Sequence, residues 1–343
     1  MRTRSLLALV LLLPACAQEP EAVPPAVAGV DDAVWANYQP LPDSMPSADN
    51  PVTPEKVALG RMLYYDTRFS TTKDISCYVC HPLHDYGTSH RSAAIGHGAK
   101  VGTRNEPTVY NAAGQFAQFW DGRVKTVEEQ ALGPVLNKVE MGMATKESVI
   151  KILKSMPGYQ EAFHKAFPGE EDPVTFENFG KAIGAFERGL LTPSRWDEFL
   201  NGNPEAITAE EKAGFGEFVS AGCATCHTGP FVGGNMYQKV GVIQPWFNGK
   251  DLGRFQVTGI DADKMIFKVP SLRNIEETWP YFHDGSVQRL EDAVYLMASY
   301  QLGRPLNLTQ IGSIRTWLKT LTGTVNVDYI NEPVLPPNPA TQE

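Results

Sequence analysis

The stretch Cys77-Tyr-Val-Cys80-His81 contains two cysteines that are separated by two residues and followed at once by a histidine. This spacing is typical of c-type haem attachment, in which each thiol adds to a haem vinyl group and the adjacent imidazole binds the iron. The pattern recurs as Cys223-Ala-Thr-Cys226-His227. A zinc site or a thiol redox pair is the alternative, but a four-thiolate zinc site would leave both adjacent histidines unexplained. The sequence therefore predicts two covalent haems, with His81 and His227 as proximal ligands.

The composition narrows the classes of function. The 343-residue chain has 30 basic and 39 acidic residues, a formal net charge of −9 at pH 7, which argues against a nucleic-acid partner. Its 30 glycines and 26 prolines favour short helices joined by long loops. Four of the five cysteines belong to the two haem motifs and the fifth is Cys16, so none remains for a disulfide.

The first 15 residues have the features of an export signal. Arg2 and Arg4 precede the apolar run 6–13, which is too short to span a bilayer. Leu13-Pro-Ala-Cys16 resembles a bacterial lipobox, in which Cys16 would become the lipid-modified N-terminus, and ordinary cleavage near this point is the alternative. We therefore expect a periplasmic protein that contacts the membrane only through a lipid anchor. Ala17, which follows the lipidated position, favours the outer membrane.

The remaining patterns predict a mainly α fold with two tandem cytochrome c-like domains, each with one covalent haem. A capped helix precedes each haem motif: Thr53 and Pro54 begin the first, and Thr208 with Glu211 forms a capping box for the second. Apolar residues at steps of three and four predict a buried stripe on a helix over 176–190. No strong strand pattern is present, and 229–259 is expected to be a long glycine-rich loop. The expected segments are a lipoprotein signal peptide (1–15), a flexible tether (16–40), an N-terminal domain (41–203), a C-terminal domain (204–330) and a proline-rich tail (331–343).

Six longer motifs follow one another along the chain: Gly102-Thr-Arg-Asn-Glu-Pro-Thr-Val-Tyr-Asn-Ala-Ala113, Gln118-Phe-Trp-Asp-Gly-Arg123, Gln130-Ala-Leu-Gly-Pro-Val-Leu-Asn-Lys-Val-Glu-Met141, Val269-Pro-Ser-Leu-Arg-Asn274, Tyr281-Phe-His-Asp-Gly-Ser286, and Met297 with Gln301-Leu-Gly303. In this order, from about Leu41 to Gly323, they resemble the bacterial dihaem cytochrome c peroxidases. The maturation enzyme of methylamine dehydrogenase belongs to the same superfamily.

This resemblance implies roles for residues around the first haem. His81 would be the proximal ligand of a low-potential, peroxidatic haem, and His97 would be its sixth ligand in the resting oxidised state, on a glycine-flanked loop that can move. Glu140 would be the catalytic acid/base, and Gln130 would hydrogen-bond the peroxide or the site water. Lys138 departs from the family pattern, which often has proline at this position.

The resemblance also implies a high-potential second haem, through which electrons enter. Met297 would be its distal ligand opposite His227, because a thioether favours ferrous iron. Trp120 would lie between the two haems and relay electrons. An interdomain calcium ion would be held by one side-chain oxygen and two backbone carbonyls, from Asn105, Thr278 and Pro280.

The expected function is reduction of hydrogen peroxide to water with electrons from a small c-type cytochrome or a copper protein of the cupredoxin class. The family forms homodimers, and the same is expected here. An oxidase acting on a protein substrate, like the maturation enzyme, is the first alternative, but that enzyme has tyrosine in the role of Met297. A non-enzymatic dihaem electron carrier is the second alternative, against which Gln130 and Glu140 argue.

Overall fold

The computed structural model describes residue 27 and residues 29–338, so the predicted signal peptide, Cys16 and part of the predicted tether lie outside the described residues. The described chain is mainly α, as predicted. Its α-helices are α1 Asp32–Trp35, α2 Pro54–Tyr65, α3 Cys77–Cys80, α4 Val127–Leu136, α5 Lys146–Lys154, α6 Pro157–Ala166, α7 Phe176–Glu187, α8 Arg195–Leu200, α9 Ala209–Ala221, α10 Phe255–Thr258, α11 Leu290–Leu296, α12 Leu308–Leu318 and α13 Val327–Ile330. Within these described residues, no helix is long and apolar enough to cross a membrane.

Helix starts follow the predicted caps. The Thr53 hydroxyl accepts a hydrogen bond from the Lys56 amide and Pro54 is the first residue of α2. Thr208 and Glu211 form a complete capping box at α9. The predicted stripe on α7 is buried throughout, although the helix itself ends three residues before the last member: Phe176, Phe179, Ile183, Phe186 and Leu190.

Two hydrophobic cores organise these helices. The first core is built mainly from α2 and α4 to α7, and the second mainly from α8, α9, α11 and α12. Both cores contain a close helix crossing at a glycine, because a Cβ on Gly60 would lie 1.9 Å from the Ala182 carbonyl oxygen and one on Gly214 would lie 2.2 Å from that of Ser313. In both cases the glycine is on the helix that precedes a haem motif. The two halves therefore use the same close helix crossing at a glycine.

Segments at both ends of the predicted N-terminal domain (41–203) pack in the second core. Trp35 and Tyr38, which the sequence places in a flexible tether, are buried in the second core against Trp196 and Phe215. Helix α8, assigned by sequence to the N-terminal domain, packs in the same core. Burying large aromatic rings is favourable enough to recruit these segments across the expected boundary.

The C-terminal segment returns to the first core. Ile330 is buried there, and the Tyr65 hydroxyl donates a hydrogen bond to its carbonyl oxygen. The Tyr329 hydroxyl donates to the Phe186 carbonyl oxygen at 2.7 Å. Beyond α13 the described part of the proline-rich tail has no regular secondary structure, and the Pro336 carbonyl accepts a 2.8 Å hydrogen bond from Arg68. Residues 325–330 therefore pack with the N-terminal rather than the C-terminal domain.

The predicted glycine-rich loop is not entirely irregular. Strand β1, Tyr237–Lys239, lies within it and pairs antiparallel with β2, Ile266–Lys268, placing Gln238 opposite Phe267. Sequence reasoning missed this two-stranded ribbon because three residues are too few to show an alternating pattern.

A buried ion pair joins α8 to the segment that follows the ribbon. The Arg273 side chain is 1% exposed, and its guanidinium donates two hydrogen bonds to the Asp197 carboxylate at 2.6 and 2.7 Å. The same guanidinium also donates to the Pro230 carbonyl oxygen, three residues after the second haem motif. This pair therefore fixes the approach to the second haem site.

Asp197→Asn should lower the free energy of unfolding by about 3–5 kcal/mol, because it leaves the buried Arg273 charge without an anion. Denaturant unfolding of the holoprotein, followed by circular dichroism, measures the change. Asp172→Asn is the matched control, since Asp172 pairs with Lys154 on the surface and its loss should be barely measurable. Equal stability of Asp197→Asn and wild type would show that the pair does not stabilise this region.

Candidate functional site

A cavity of about 780 Å³ runs between the two cores and is lined by residues of both haem motifs. It brings together predicted site residues that are up to 220 positions apart in the sequence, from Cys77 to Met297. All the predicted site residues within the described chain, except His97, line it: Cys77, Cys80, His81, Asn105, Trp120, Gln130, Glu140, Cys223, Cys226, His227, Thr278, Pro280 and Met297.

Both motif histidines are oriented as metal ligands require. The Nδ1 atom of His81 lies 3.0 Å from the Gly87 carbonyl oxygen, and that of His227 lies 3.3 Å from the Val232 carbonyl oxygen. A ring that donates from Nδ1 keeps the Nε2 lone pair for a metal. Burial lowers the pKa of His227 to about 4, which keeps its imidazole neutral.

The cysteines fit thioether attachment better than a thiol redox pair. The four cysteines that the structure describes form no disulfide. Burial raises the pKa of Cys80 and of Cys223 to about 12, whereas redox-active pairs depend on a depressed thiol pKa. Together with the adjacent imidazoles, these thiols suit two covalently attached haems.

Asn137 organises the loop that carries Glu140. Its Nδ2 atom donates a 2.7 Å hydrogen bond to Oε1 of Glu140, and its Oδ1 accepts from the Val139 amide at 2.9 Å. Its carbonyl oxygen accepts from the amides of Glu140 and Gly142. Asn137 therefore holds both the backbone and the carboxyl group of this loop. The sequence places Asn137 in one of the motifs but indicates no role for it, because its contacts form only in the folded loop.

The surroundings of Glu140 suit acid/base chemistry. The side chain is half-buried, and burial raises the pKa of its carboxyl group. Arg123 and the hydrogen bond from Asn137 oppose this shift, while nearby Glu106 adds to it. Gln130 lies on α4, the helix that ends directly before Asn137, and lines the same cavity. A carboxyl group with a raised pKa is better able to serve as both proton acceptor and proton donor.

The structure places His97 outside the cavity. Its Nε2 atom lies 3.0 Å from the carbonyl oxygen of Lys138, to which Lys100 Nζ also donates at 2.9 Å. Its backbone amide donates to the Glu140 carbonyl oxygen at 2.7 Å. A Cβ on Gly96 would lie 1.9 Å from the Val139 carbonyl oxygen, so the two loops touch through backbone. Lys138, which departs from the family pattern, is thus the residue against which the His97 imidazole lies. The carbonyl oxygen of Lys138 makes the contact.

Met297 begins a π-helical turn, Met297–Gln301, directly after α11. Such turns are frequent at functional sites. Its side chain lines the cavity, as does His227. The neighbouring Tyr295 is about half exposed and Tyr300 packs against Trp246, and neither lines the cavity. Met297 rather than a tyrosine is therefore the ligand-type side chain that this turn directs to the site.

Trp120 connects the two halves of the site. Its indole Nε1 donates a 2.9 Å hydrogen bond to the Asn105 carbonyl oxygen, and its own carbonyl accepts from the Lys268 amide at 2.8 Å. Asn105 is buried, and its Nδ2 donates to the Arg91 carbonyl oxygen, which leaves Oδ1 as its ligand-type atom. Among the described residues, no group of three or more His, Cys, Asp or Glu side chains is arranged to hold a metal ion.

A mainly helical fold with two c-type attachment motifs facing one cavity defines a dihaem c-type cytochrome. A model of the di-haem cytochrome c peroxidase family matches residues 54–205. The chain is 45% identical over 292 residues to the cytochrome c551 peroxidase of Nitrosomonas europaea, covering 84% of this chain and 86% of the relative. It is 38% identical over 317 residues to that of Pseudomonas aeruginosa, covering 90% of each. A crystal structure of a MauG-like protein associated with microbial copper homeostasis superposes with a TM-score of 0.76 at 27% identity, covering 85% of this chain and 97% of that one. The chain belongs to the dihaem cytochrome c peroxidase family.

Asn137→Asp should move the acidic limb of the pH profile for peroxide turnover to higher pH. Aspartate keeps the oxygen that accepts from Val139 but replaces the donor to Glu140 by a like charge, which raises the Glu140 pKa further. Because a base acts only when ionised, activity at low pH is lost first. The measurement is kcat/KM for peroxide against pH. Asn137→Ala, which removes both contacts, should lower the rate across the whole range, and an unmoved limb in Asn137→Asp would contradict the role of Asn137.

Proposed function

We propose that this enzyme reduces hydrogen peroxide to water at the first haem site, with electrons that enter through the second. The observation that carries the proposal is the shared cavity, in which Glu140 and Gln130 face the same space as the first haem motif. Close similarity to cytochrome c551 peroxidases over most of the chain supports the reaction class.

The reaction consumes one peroxide, two protons and two electrons and yields two waters. The haems supply the binding position for peroxide and the path for the electrons. Glu140 takes a proton from one peroxide oxygen and delivers it to the other, and its raised pKa lets it carry the proton between these steps. Asn137 keeps the carboxyl group in position, and the Gln130 amide orients the peroxide.

The second haem site is the proposed entry point for electrons. Met297 would supply a thioether ligand to this haem, which would favour its reduced state, and a small c-type cytochrome or a cupredoxin would be the donor. Trp120, hydrogen-bonded to both halves, would relay electrons between the sites. Titration with a reductant, monitored by the absorbance of each haem, tests this order. The Met297-side haem should be reduced before the other.

A calcium ion at the junction is part of the proposal. Asn105, Thr278 and Pro280 line the same cavity and would offer one side-chain oxygen and two carbonyl oxygens, the hard ligands that calcium prefers. The site lies next to the hydrogen bond between Asn105 and Trp120, so the ion would stiffen the contact between the halves. Calcium content of the purified protein near zero, with full activity, would overturn this part.

Cellular placement and assembly are proposed from the sequence pattern and family membership. Cys16 would anchor a periplasmic homodimer to the membrane, with the outer membrane favoured. Cys16→Ser should release the protein into the soluble periplasmic fraction.

The protein-oxidising alternative is less well supported by the geometry. The maturation-type reaction would be favoured by a tyrosine beside the second motif, but Tyr295 and Tyr300 lie away from the cavity while Met297 lines it. Peroxide turnover with a small reduced redox protein, and no oxidation of a protein substrate of the maturation type, would separate the two functions.

Glu140→Gln should lower peroxide turnover by roughly two to four powers of ten, because general acid/base groups contribute about that much. Glutamine keeps the size and the hydrogen bond to Asn137 but carries no exchangeable carboxyl proton. Haem spectra should be unchanged, which separates a catalytic loss from misfolding. Glu161→Gln, on the surface beside Lys165, is the control and should turn over at the wild-type rate.

Gating by His97 is proposed because its loop rests directly on the loop of Glu140. In the oxidised state His97 would bind the first iron, and electron entry at the second haem would favour the outward position seen here, with a coupling free energy of about 1–3 kcal/mol. Electron paramagnetic resonance should show a low-spin first haem that opens on one-electron reduction. His97→Gly should be open and active without prior reduction. A wild type that is fully active when oxidised would exclude gating but leave peroxide reduction intact.

A further inference from the structure

Lys268 is a buried lysine at the end of β2, and its residue exposure is only 7%. Its ammonium group donates to the side-chain oxygen of Gln115. Within the described part of the chain, Lys268 takes part in no ion pair with an aspartate or glutamate, so the charge has a neutral partner and no anion.

The two buried arginines of the described chain each have a carboxylate partner, unlike Lys268. Arg188 is paired with the Glu128 carboxylate and Arg273 with that of Asp197. Burying an isolated ammonium group is expensive unless an anion compensates for the lost hydration. Burial lowers the pKa of Lys268 to about 8, because no carboxylate of the described chain compensates for the lost hydration of the ammonium group. Lys268 therefore has the environment of a cation whose anion does not come from the residues that the structure describes.

The position of Lys268 indicates where that anion lies. Lys268 lines the cavity that contains both haem motifs, and its backbone amide donates to the Trp120 carbonyl oxygen. Gln115, its hydrogen-bond partner, packs against Gly234, so the ammonium group sits where the two halves meet. Haem carries two propionate groups, and these are the carboxylates that a dihaem protein brings into such a cavity.

We propose that Lys268 is the counter-ion of a haem propionate at the junction of the two haem sites. A nearby positive charge stabilises the extra electron of ferrous haem, so Lys268 should raise the potential of the haem whose propionate it pairs with. The inference rests on haem binding and not on peroxide chemistry, so a failed peroxidase assay would leave it standing.

The test is Lys268→Met in the holoprotein, with Lys268→Arg as the charge-conserving variant and Lys250→Met as the control for an exposed lysine. Mass spectrometry should show two covalent haems in every variant. Spectroelectrochemical titration then measures the midpoint potential of each haem. Lys268→Met should lower one of the two potentials, Lys268→Arg should restore most of the difference, and Lys250→Met should move neither.

The outcomes separate the two possible sources of the propionate. A lowered potential at the Met297-side haem assigns the pair to that haem, and a lowered potential at the other haem assigns it there. Unchanged potentials in a variant that retains both haems would overturn the proposal. If Lys268→Met does not fold, a crystal structure of the wild-type holoprotein decides: Nζ within about 3.2 Å of a propionate oxygen supports the pair, and a longer separation from every propionate refutes it.

Discussion

The contact that the site depends on is made by Trp120 at the junction of the two halves. Its indole donates to Asn105 within the N-terminal half, and its carbonyl accepts from Lys268 of the C-terminal half. Both bonds are close to the cavity wall, where a lost partner would leave a polar group unsatisfied. Because both haem motifs face this cavity, the relative position of the two attachment sites follows from a contact that belongs to neither motif.

A second dependence links the two loops at the first haem site. The Glu140 loop is held by Asn137, and the His97 loop lies on it through backbone contacts at Gly96 and through the amide of His97. Any displacement of His97 is therefore transmitted to the chain segment that carries Glu140. If His97 is a ligand of the first haem and Glu140 the acid/base group, as proposed, movement of the one and positioning of the other can be a single event.

Some buried charges have a partner within the described protein, whereas another is proposed to be paired by a cofactor. Arg188 and Arg273 have carboxylate partners within the fold and stabilise its architecture. Lys268 has no carboxylate partner among the residues that the structure describes, and it lines the cavity. An unpaired buried charge inside an otherwise well-paired structure is thus a feature of the holoprotein, in which haem contributes charge as well as iron.

The sequence by itself determined the two attachment motifs, the mainly helical fold, the starts of α2 and α9 and the buried face of α7. These features depend on spacing and periodicity within a few turns of chain, so local residues encode them. Motif resemblance extended this to Glu140, Gln130 and Met297, which the structure gathers in one cavity. Only the tertiary structure decided which core receives Trp35, α8 and α13, how Asn137 holds the loop of Glu140, and where His97 rests. It also showed that Lys268 is buried with no carboxylate partner in the described part of the chain. Each of these depends on contacts between residues distant in the chain, and burial and pairing arise only when those residues meet.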